Sequence, residues 1–310
     1  MPFEITVLGS SSALPSYNKF PSAHVINIHE RFFLTDCGEG TQIRLRQYKI
    51  KVSKINHVFI SHLHGDHFFG IFGLISSFNL LGRKNDLHIF SPGDLEKIIY
   101  TVIKKNDLNF QLFFHRLNTD TKETVYESKS IKISCFPLNH RIETYGYLFE
   151  EKQKEKNIKK ELIQKYKLSI KNILDIKAGN NFITKKGVCI KNKDLTLPEV
   201  KPRSYAYCSD TMYFPEIIQH IKNVDLLYHE ATFTEELKET AAITKHSTAS
   251  DAAKIALQAN AGSLLIGHFS SRYKNGTPFY NEATKIFKNT FIAQDGLIFK
   301  IPVQKIKENL

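Results

Sequence analysis

The sequence has few cysteines and no closely spaced pair among them. Its 310 residues include four cysteines, and none forms a C-x-x-C motif with another: Cys37, Cys135, Cys189 and Cys208. Disulfide-stabilised small domains and zinc ribbons depend on such pairs, so the pattern argues against both kinds of protein. A reducing compartment fits scattered cysteines best, and we expect a cytoplasmic protein.

Long apolar runs are also missing. The N-terminal stretch Met1–Ser10 carries Glu4 where a secretory signal would have a basic flank and a longer apolar segment. No later run is long enough to span a bilayer, so we expect a soluble protein that does not insert into a membrane. With 42% hydrophobic residues, the chain can still close a sizeable core.

Acidic residues are outnumbered by basic ones. The chain has 43 Lys and Arg against 31 Asp and Glu, which gives a formal net charge of +12. This excess suits a polyanionic partner such as a nucleic acid, although many basic proteins bind none. Lysines are densest between Glu150 and Lys201, which predicts an extension from the core: Lys152, Lys154, Lys156, Lys159, Lys160, Lys165, Lys167 and Lys171. Taken alone, such a run is most often a solvated surface.

Short apolar segments and helical spacing alternate along the chain. Before Glu150, strands are predicted over Phe3–Leu8, His24–Ile28, Arg31–Thr35, Val58–Ile60, Leu87–Phe90 and Ile131–Phe136. Helices are predicted over Glu39–Tyr48, Ile71–Leu81 and Leu95–Ile103, the last starting near Ser91-Pro92. After Lys201 the order recurs, with strands Tyr205–Cys208, Asp225–Tyr228, Leu264–Gly267 and Gly296–Ile301 and helices Pro215–Ile221 and Thr248–Ala259. We expect one domain over 1–310 with two similar halves, a sheet or a pair of sheets covered by helices, and an insertion over 150–201.

The densest group of metal-binding side chains is His62-Leu63-His64-Gly65-Asp66-His67, directly after a predicted strand. A single histidine is more often a surface residue, but this density in a loop is hard to explain by packing. Imidazole and carboxylate ligands suit zinc or a similar divalent ion, and the lack of thiolates argues against a closed structural site. His62 and His64 can share one ion, and Asp66 and His67 can bind a second. Two neighbouring ions would activate water and offset charge on a phosphoryl oxygen.

A two-ion site needs further ligands from other strand ends. Isolated candidates directly follow three other predicted strands: His140, Asp210 and His268. Each alone is more often an ordinary loop histidine or a turn-forming aspartate, but together they complete a ligand set.

These motifs, in this order, resemble the metallo-β-lactamase superfamily, whose members carry H-x-H-x-D-H after a strand and then His, Asp and His ligands. The resemblance covers nearly the whole chain. It implies an α/β fold, the αββα sandwich, in which two facing sheets are covered by helices and hold metals at one edge. It also implies two Zn²⁺ per subunit, one on His62, His64 and His140, the other on Asp66, His67 and His268, with Asp210 between them.

Four further stretches resemble the ribonuclease Z family: Asp36–Gln42 (D-C-G-E-G-T-Q), His229–Thr232 (H-E-A-T), His246–Thr248 (H-S-T) and Gly267–Tyr273 (G-H-F-S-S-R-Y). The resemblance implies a homodimeric endoribonuclease that removes the 3′ trailer from precursor tRNA, leaving a 3′-hydroxyl on the tRNA and a 5′-phosphate on the trailer. It implies Asp66 as the general base and Glu230 with His246 as the proton-delivering pair. A histidine held by a carboxylate can protonate a leaving oxygen near neutral pH. The plainer interpretation of the third stretch is that Ser247 or Thr248 caps the following helix.

The lysine-rich segment also matches the ribonuclease Z pattern, because family members insert a tRNA-gripping arm between their His and Asp ligands. The resemblance thus implies an RNA-binding exosite over 150–201, where lysines would contact phosphates. Two stretches depart from the pattern: Ala178–Phe182 lacks the usual Gly-Pro pair, and 15–19 replaces a Pro-x-Lys-x-Arg-Asn stretch that senses the CCA end. We expect Asp36–Gln42 to make a tight turn into a helix without contacting substrate.

Two other functions remain open. A small-molecule hydrolase or phosphodiesterase of the same fold, such as a thioesterase, lactonase or cyclic-nucleotide phosphodiesterase, would share the ligands but need neither the arm nor the Glu230 and His246 pair. A non-catalytic RNA-binding relative would lack a complete ligand set, and the complete set in this sequence argues against it.

Overall fold

The computed structural model describes residues 1–13 and 19–304. Most of the stretch 15–19 singled out above therefore lies outside the described residues. No helix within the described part is both long and apolar enough to cross a membrane. The chain forms two compact units, Met1–Glu150 with Ser204–Ile301, and Glu151–Arg203 with 302–304.

Two sheets, each of seven strands among the described residues, form the centre of the first unit. The first sheet contains β1 (Phe3–Gly9), β2 (Ala23–Ile28), β3 (Arg31–Thr35), β4 (Ile55–Phe59), β5 (Leu87–Ser91), β6 (Leu112–Arg116) and β16 (Ile298–Lys300). The second contains β7 (Glu123–Glu127), β8 (Ile131–Pro137), β9 (Tyr145–Glu151), β12 (Ser204–Cys208), β13 (Leu226–Glu230), β14 (Leu264–Gly267) and β15 (Thr290–Ile292). The strand orders are β16-β1-β2-β3-β4-β5-β6 and β15-β14-β13-β12-β9-β8-β7.

Helices cover the outer faces of the sheets. They are α1 (Thr41–Gln47), α2 (Gly65–Phe68), α3 (Gly70–Leu80), α4 (Leu95–Val102), α8 (Ile218–Ile221), α9 (Lys238–Thr244), α10 (Ala249–Gln258) and α11 (Thr277–Ala283). Short 3-10 turns lie at Val52–Lys54, Lys105–Asp107, Pro215–Ile217 and Glu235–Leu237. This layered arrangement confirms the predicted αββα sandwich.

Alternation along the strands explains the layers. In β1, Phe3, Ile5 and Val7 join the core between the sheets, whereas Leu8 joins a second core beneath the helices. Both faces of the strand are buried because successive side chains point to opposite faces of a sheet. The outer cores contain apolar side chains of α3 on one side and the alanine-rich face of α10 on the other.

Sheet membership does not follow chain order for two strands. Ile131–Phe136, expected with the first half, is β8 of the second sheet, and Gly296–Ile301, expected with the second half, contains β16 of the first sheet. There β16 pairs antiparallel with β1, with Glu4 opposite Lys300. Local patterning cannot reveal such a partner because it lies at the other end of the chain. The helix predicted over Leu95–Ile103 is α4, which spans Leu95–Val102, and Ser91 before it is the last residue of β5.

The second unit contains the lysine-rich segment and has a small core of its own. Its elements are α5 (Lys160–Lys165), α6 (Ile170–Lys177), β10 (Phe182–Ile183), β11 (Cys189–Ile190) and α7 (Asn192–Leu195). Its buried apolar side chains are Ile158, Leu168, Ile176 and Leu195. After α6, Gly179 adopts a φ of +101°, and the Asn192 amide donates hydrogen bonds to the carbonyls of Ile176 and Asn180. Glycine and asparagine thus form the turn in a stretch without proline.

Candidate active site

The predicted ligands lie in segments that follow strands. Strands β3 to β6 are parallel to one another, as are β12 to β15, so within each set the carboxyl ends lie on the same side of the sheet. The segments after β4, β8, β12 and β14 carry His62, His64, Asp66, His67, His140, Asp210 and His268, with Asp66 and His67 on the short helix α2. The structure brings all of these side chains together in two adjoining clusters.

The first cluster consists of His62, His64, His140 and Asp210, whose donor atoms all lie within 4.8 Å of one another. His64 Nδ1 lies 3.0 Å from His62 Nε2 and 3.3 Å from His140 Nε2. Asp210 Oδ2 lies 3.3 Å from His62 Nε2 and 3.8 Å from His140 Nε2. Three imidazoles and one carboxylate oxygen thus converge on one point.

The second cluster consists of Asp66, His67 and His268. The Nε2 atoms of His67 and His268 lie 3.3 Å apart. Asp66 Oδ2 lies 3.5 Å from Nε2 of His67 and 3.4 Å from Nε2 of His268. Asp210 Oδ1 lies 3.2 Å from both Nε2 atoms, while Asp210 Oδ2 faces the first cluster. One carboxylate is therefore shared between the clusters. Asp210 and His268 hold left-handed φ angles of 48° and 60°, a strain typical of functional positions.

Hydrogen bonds on the far side of each ring determine which nitrogen faces a cluster. The Nδ1 atoms of His67, His140 and His268 lie 2.7, 2.8 and 2.9 Å from oxygen acceptors, namely Asp36 Oδ2, the Lys245 carbonyl and Thr232 Oγ1. Each Nδ1 therefore carries the proton, and the Nε2 lone pair points into the cluster. Metal-binding histidines are oriented in this way in proteins.

The donor sets fit divalent cations. Ring nitrogens with facing lone pairs repel one another at these distances unless a cation or a proton lies between them. Burial lowers the pKa of His64 and of His140 to about 4, so both rings are neutral at neutral pH, as metal ligands must be. Imidazole and carboxylate donors without thiolates suit catalytic zinc.

Asp36 has a role beyond the turn that its sequence motif predicted. The turn is present, since Gly40 has a φ of +77° and α1 follows it. Asp36 itself is fully buried and accepts hydrogen bonds from His67 Nδ1 at 2.7 Å, from the backbone and hydroxyl of Ser61, and from the Tyr207 hydroxyl. It thus orients a ligand of the second cluster. Its position directly after β3 was the available signal for this role, which was not predicted.

Replacing Asp36 with asparagine should lower the affinity of the second cluster for a divalent cation, with zinc as the probe, about 10- to 100-fold, the usual effect of changing a group that orients a ligand. The asparagine side chain has an NH₂ group in place of one carboxylate oxygen, and this group would face a hydrogen-bond donor that now donates to Asp36. Equilibrium competition with a chelator measures the change, and thermal unfolding checks the fold. Asp94→Asn is the matched control, because Asp94 pairs with Arg116 on the surface. Unchanged zinc affinity in Asp36→Asn would rule out this role.

Glu230, which is buried, and His246, which is partly exposed, form a pair beside the clusters. His246 Nδ1 lies 2.8 Å from Glu230 Oε1, and the carboxylate also accepts hydrogen bonds from the backbone N–H groups of Thr211 and Thr232 and from the Thr232 hydroxyl. The His246 ring lies 5.0 Å from the His140 ring and 5.5 Å from the His268 ring, centre to centre. The pair therefore stands next to both clusters.

Charge keeps His246 protonated. Burial lowers its pKa, but the charge and hydrogen bond of Glu230 outweigh this effect and raise the pKa to about 9. The imidazolium can therefore donate a proton from its other nitrogen. Thr248 caps α10 through a hydrogen bond from the Asp251 N–H, as the plainer interpretation predicted. The cap also fixes the chain beside His246.

An open cleft of about 500 Å³ gives access to the centre. Its lining includes Asp66, Asp210, His246 and His268, together with the basic side chains Arg141 and Arg272. The basic side chains would attract an anionic group to the clusters and the His246 proton donor.

Comparison with known proteins identifies close relatives over the whole chain. The chain is 45% identical over 301 residues to "Ribonuclease Z" of Bacteroides thetaiotaomicron, covering 96% of this chain and 95% of the relative. It is 44% identical over 304 residues to "Ribonuclease Z" of Cytophaga hutchinsonii, covering 97% of each. Residues 3–158 match the family model described as "Anti-Pycsar protein Apyc1".

Solved structures share the fold. The human tRNase Z short form aligns with a TM-score of 0.71 at 24% identity, covering 96% of this chain and 99% of that one. The metallo-β-lactamase fold protein YhfI of Bacillus subtilis aligns with a TM-score of 0.70 at 19% identity, covering 97% of this chain and 100% of that one. The architecture is therefore the metallo-β-lactamase fold.

Proposed function

Since this chain belongs to the ribonuclease Z family, it is a metal-dependent endoribonuclease of tRNA 3′-end processing, and we propose that it removes the 3′ trailer from precursor tRNA with two zinc ions. The proposed hydrolysis breaks the bond between phosphorus and the tRNA 3′ oxygen. It leaves a 3′-hydroxyl on the tRNA and a 5′-phosphate on the trailer. The observation that carries this proposal is a carboxylate-bound histidine beside two ligand clusters in one cleft.

The proposed ligands follow the two clusters. One zinc would be held by His62, His64 and His140, the other by Asp66, His67 and His268, with Asp210 bridging them. When bound, the two ions would lower the pKa of the attacking water and offset negative charge on the phosphate. The orientation of the Asp210 carboxylate supports this assignment, because each of its two oxygens faces a different cluster.

Asp66 is the proposed general base. Its carboxylate lines the cleft, and the backbone N–H of Ala13 donates a hydrogen bond to Oδ2 at 2.7 Å. This bond fixes the carboxylate where it can accept a proton from the attacking water. The new bond then joins the water oxygen to phosphorus.

His246 is the proposed general acid. The tRNA 3′ oxygen is a poor leaving group unless it is protonated as its bond to phosphorus breaks. His246 would donate this proton, and Glu230 would hold the ring and favour its protonated form. Such proton transfer contributes about 10²- to 10⁴-fold to a rate.

Residues 150–201 are the proposed exosite for the body of precursor tRNA. Several lysines of this segment are exposed, including Lys160, Lys165, Lys167 and Lys171. Lysine contacts with phosphates give most of the non-specific affinity for nucleic acids. Binding energy from contacts that take no part in the reaction can help to seat the scissile phosphate.

Replacing these four lysines with alanine should raise KM for precursor tRNA and reduce the salt dependence of kcat/KM. The log–log slope should become shallower by about 1 for each phosphate that a lysine no longer neutralises. Hydrolysis of a small aryl phosphodiester should not change, because the four lysines are neither proposed ligands nor proposed proton donors. Cleavage rates measured over a range of salt concentrations test this.

The matched control removes four exposed lysines of the first unit, with the same change in net charge: Lys104, Lys105, Lys285 and Lys288. If both variants showed the same rise in KM for precursor tRNA and the same change in the salt dependence of kcat/KM, the segment would contribute only to the net charge of the protein. The solvated-surface interpretation would then hold.

A small-molecule phosphodiesterase is the second candidate. Its support is that the two clusters could act on a phosphodiester without the Glu230 and His246 pair, and the family-model match over residues 3–158 includes the H-x-H-x-D-H loop and His140 but ends before that pair. Parallel assays of precursor tRNA and small phosphodiesters, on metal-depleted and zinc-restored protein, separate the candidates. Faster zinc-dependent hydrolysis of the small substrates, without trailer removal, would favour the second.

The proposed enzyme is a homodimer of the cytoplasm. The ribonuclease Z resemblance supports the dimer, and the scattered cysteines support a reducing compartment.

A further inference from the structure

Thr232 contacts both functional parts of the centre. Its hydroxyl Oγ1 lies 2.6 Å from Glu230 Oε2 and 2.9 Å from Nδ1 of His268. The side chain is buried, with 3% of its surface exposed. A single hydroxyl thus joins the proton-delivering pair to a ligand of the second cluster.

The direction of these hydrogen bonds follows from the donors around Glu230. The Glu230 carboxylate accepts hydrogen bonds from the Thr211 N–H, the Thr232 N–H and His246 Nδ1. In this ionised form it has no proton to donate. The Thr232 hydroxyl must therefore donate its one proton to Glu230 Oε2. Its lone pairs remain to accept a hydrogen bond from His268.

This direction fixes the tautomer of His268. Because Oγ1 can only accept there, Nδ1 of His268 carries the proton. Nε2 then presents its lone pair 3.2 Å from Asp210 Oδ1 and 3.4 Å from Asp66 Oδ2. The Thr232 hydroxyl proton thus links two states: when it is donated to ionised Glu230, His268 must carry its own proton on Nδ1 and keep Nε2 free for a metal.

We propose that Thr232 is a positioning residue that couples zinc binding at His268 to the ordering of the Glu230 and His246 pair. The role of the pair rests on the proposed function, but the coupling is a property of the protein without RNA. Coupling between two sites is reciprocal. A change at Glu230 must therefore alter zinc affinity through Thr232.

The first test compares Thr232→Val with Thr232→Ser by competition of zinc with a chelator. Valine keeps the shape but removes the hydroxyl, so one of the two zinc dissociation constants should rise about 10- to 100-fold. The other should change much less, because no hydrogen bond joins the Thr232 hydroxyl to His62, His64 or His140 among the described residues. Serine keeps the hydroxyl and should restore most of the affinity. If the valine variant does not fold, Thr232→Ala takes its place.

The second test is a double-mutant cycle with Glu230→Gln, again measuring zinc affinity. Removing a nearby negative charge weakens zinc binding through space, and this effect is the same whether or not Thr232 is present. Coupling through the hydroxyl instead makes the two changes non-additive. The double variant should lose no more affinity than the weaker-binding single variant.

The coupling would be overturned if the fold-loss of zinc affinity in the double variant equalled the product of the two single-variant losses. Wild-type zinc affinity in Thr232→Val would also overturn it. Neither outcome depends on RNA cleavage. If the wild-type protein bound two zinc ions but failed to process precursor tRNA, the proposed function would fail while the cycle could still be measured.

Discussion

His64→Ala should reduce cleavage of precursor tRNA below detection and lower the amount of bound zinc. His64 Nδ1 lies 3.0 Å from His62 Nε2 and 3.3 Å from His140 Nε2, so its loss removes one of the three imidazole donors of the first cluster. The side chain is only partly buried and lies in a loop outside the apolar cores, so the fold should persist. Metal analysis, thermal unfolding and a cleavage assay test the three parts of this prediction.

His115→Ala is the matched control, because His115 is an exposed histidine of β6 away from both clusters. It should leave zinc content and cleavage at wild-type values. Near-normal turnover with full zinc content in His64→Ala would show that the ligand assignment is wrong. An unfolded His64→Ala protein would move the test to Asp66→Ala.

His246→Ala should slow cleavage of precursor tRNA by about 10²- to 10⁴-fold, the usual contribution of a general acid. The zinc ions should stay bound, since His246 is not one of the proposed ligands. The residue would deliver the proton to the tRNA 3′ oxygen, which leaves poorly without it. Single-turnover cleavage rates of the zinc-saturated protein measure the effect.

An activated aryl phosphodiester provides the control substrate for His246→Ala. Its leaving group needs little protonation, so the variant should hydrolyse it at a rate much closer to wild type. Equal losses on both substrates would rule out the acid role and indicate a disturbed metal site. A loss of bound zinc would instead point to His246 as a ligand, since it lies near Asp210 and His268.

The sequence predicted those parts of the site whose residues are neighbours along the chain or follow an apolar strand. The H-x-H-x-D-H loop places four potential ligands side by side, and the structure keeps them together after β4. His140, Asp210 and His268 could be proposed as ligands because each follows an apolar strand, and for Asp210 and His268 the carboxyl ends of parallel strands lie on one side of the sheet. The same rule applied to Asp36 after β3, where only the turn was predicted.

Long-range contacts were beyond local patterns. Asp36 acts through His67, and Thr232 contacts His268, 36 positions along the chain. Nothing near Thr232 in the sequence specifies that distance or the direction of its proton. The pairing of β16 with β1 was hidden for the same reason, because its register joins opposite ends of the chain.

The proposed reaction of this centre is a single cut of precursor tRNA at the boundary with its 3′ trailer. The most direct test is cleavage of a precursor tRNA labelled at one end by the zinc-loaded protein, with the cut and its end groups mapped to the nucleotide. We expect a single cut at the boundary, a 3′-hydroxyl on the tRNA and a 5′-phosphate on the trailer, all dependent on zinc. A ladder of shortened products, a cut elsewhere in the RNA, or a phosphate on the tRNA 3′ end would contradict it.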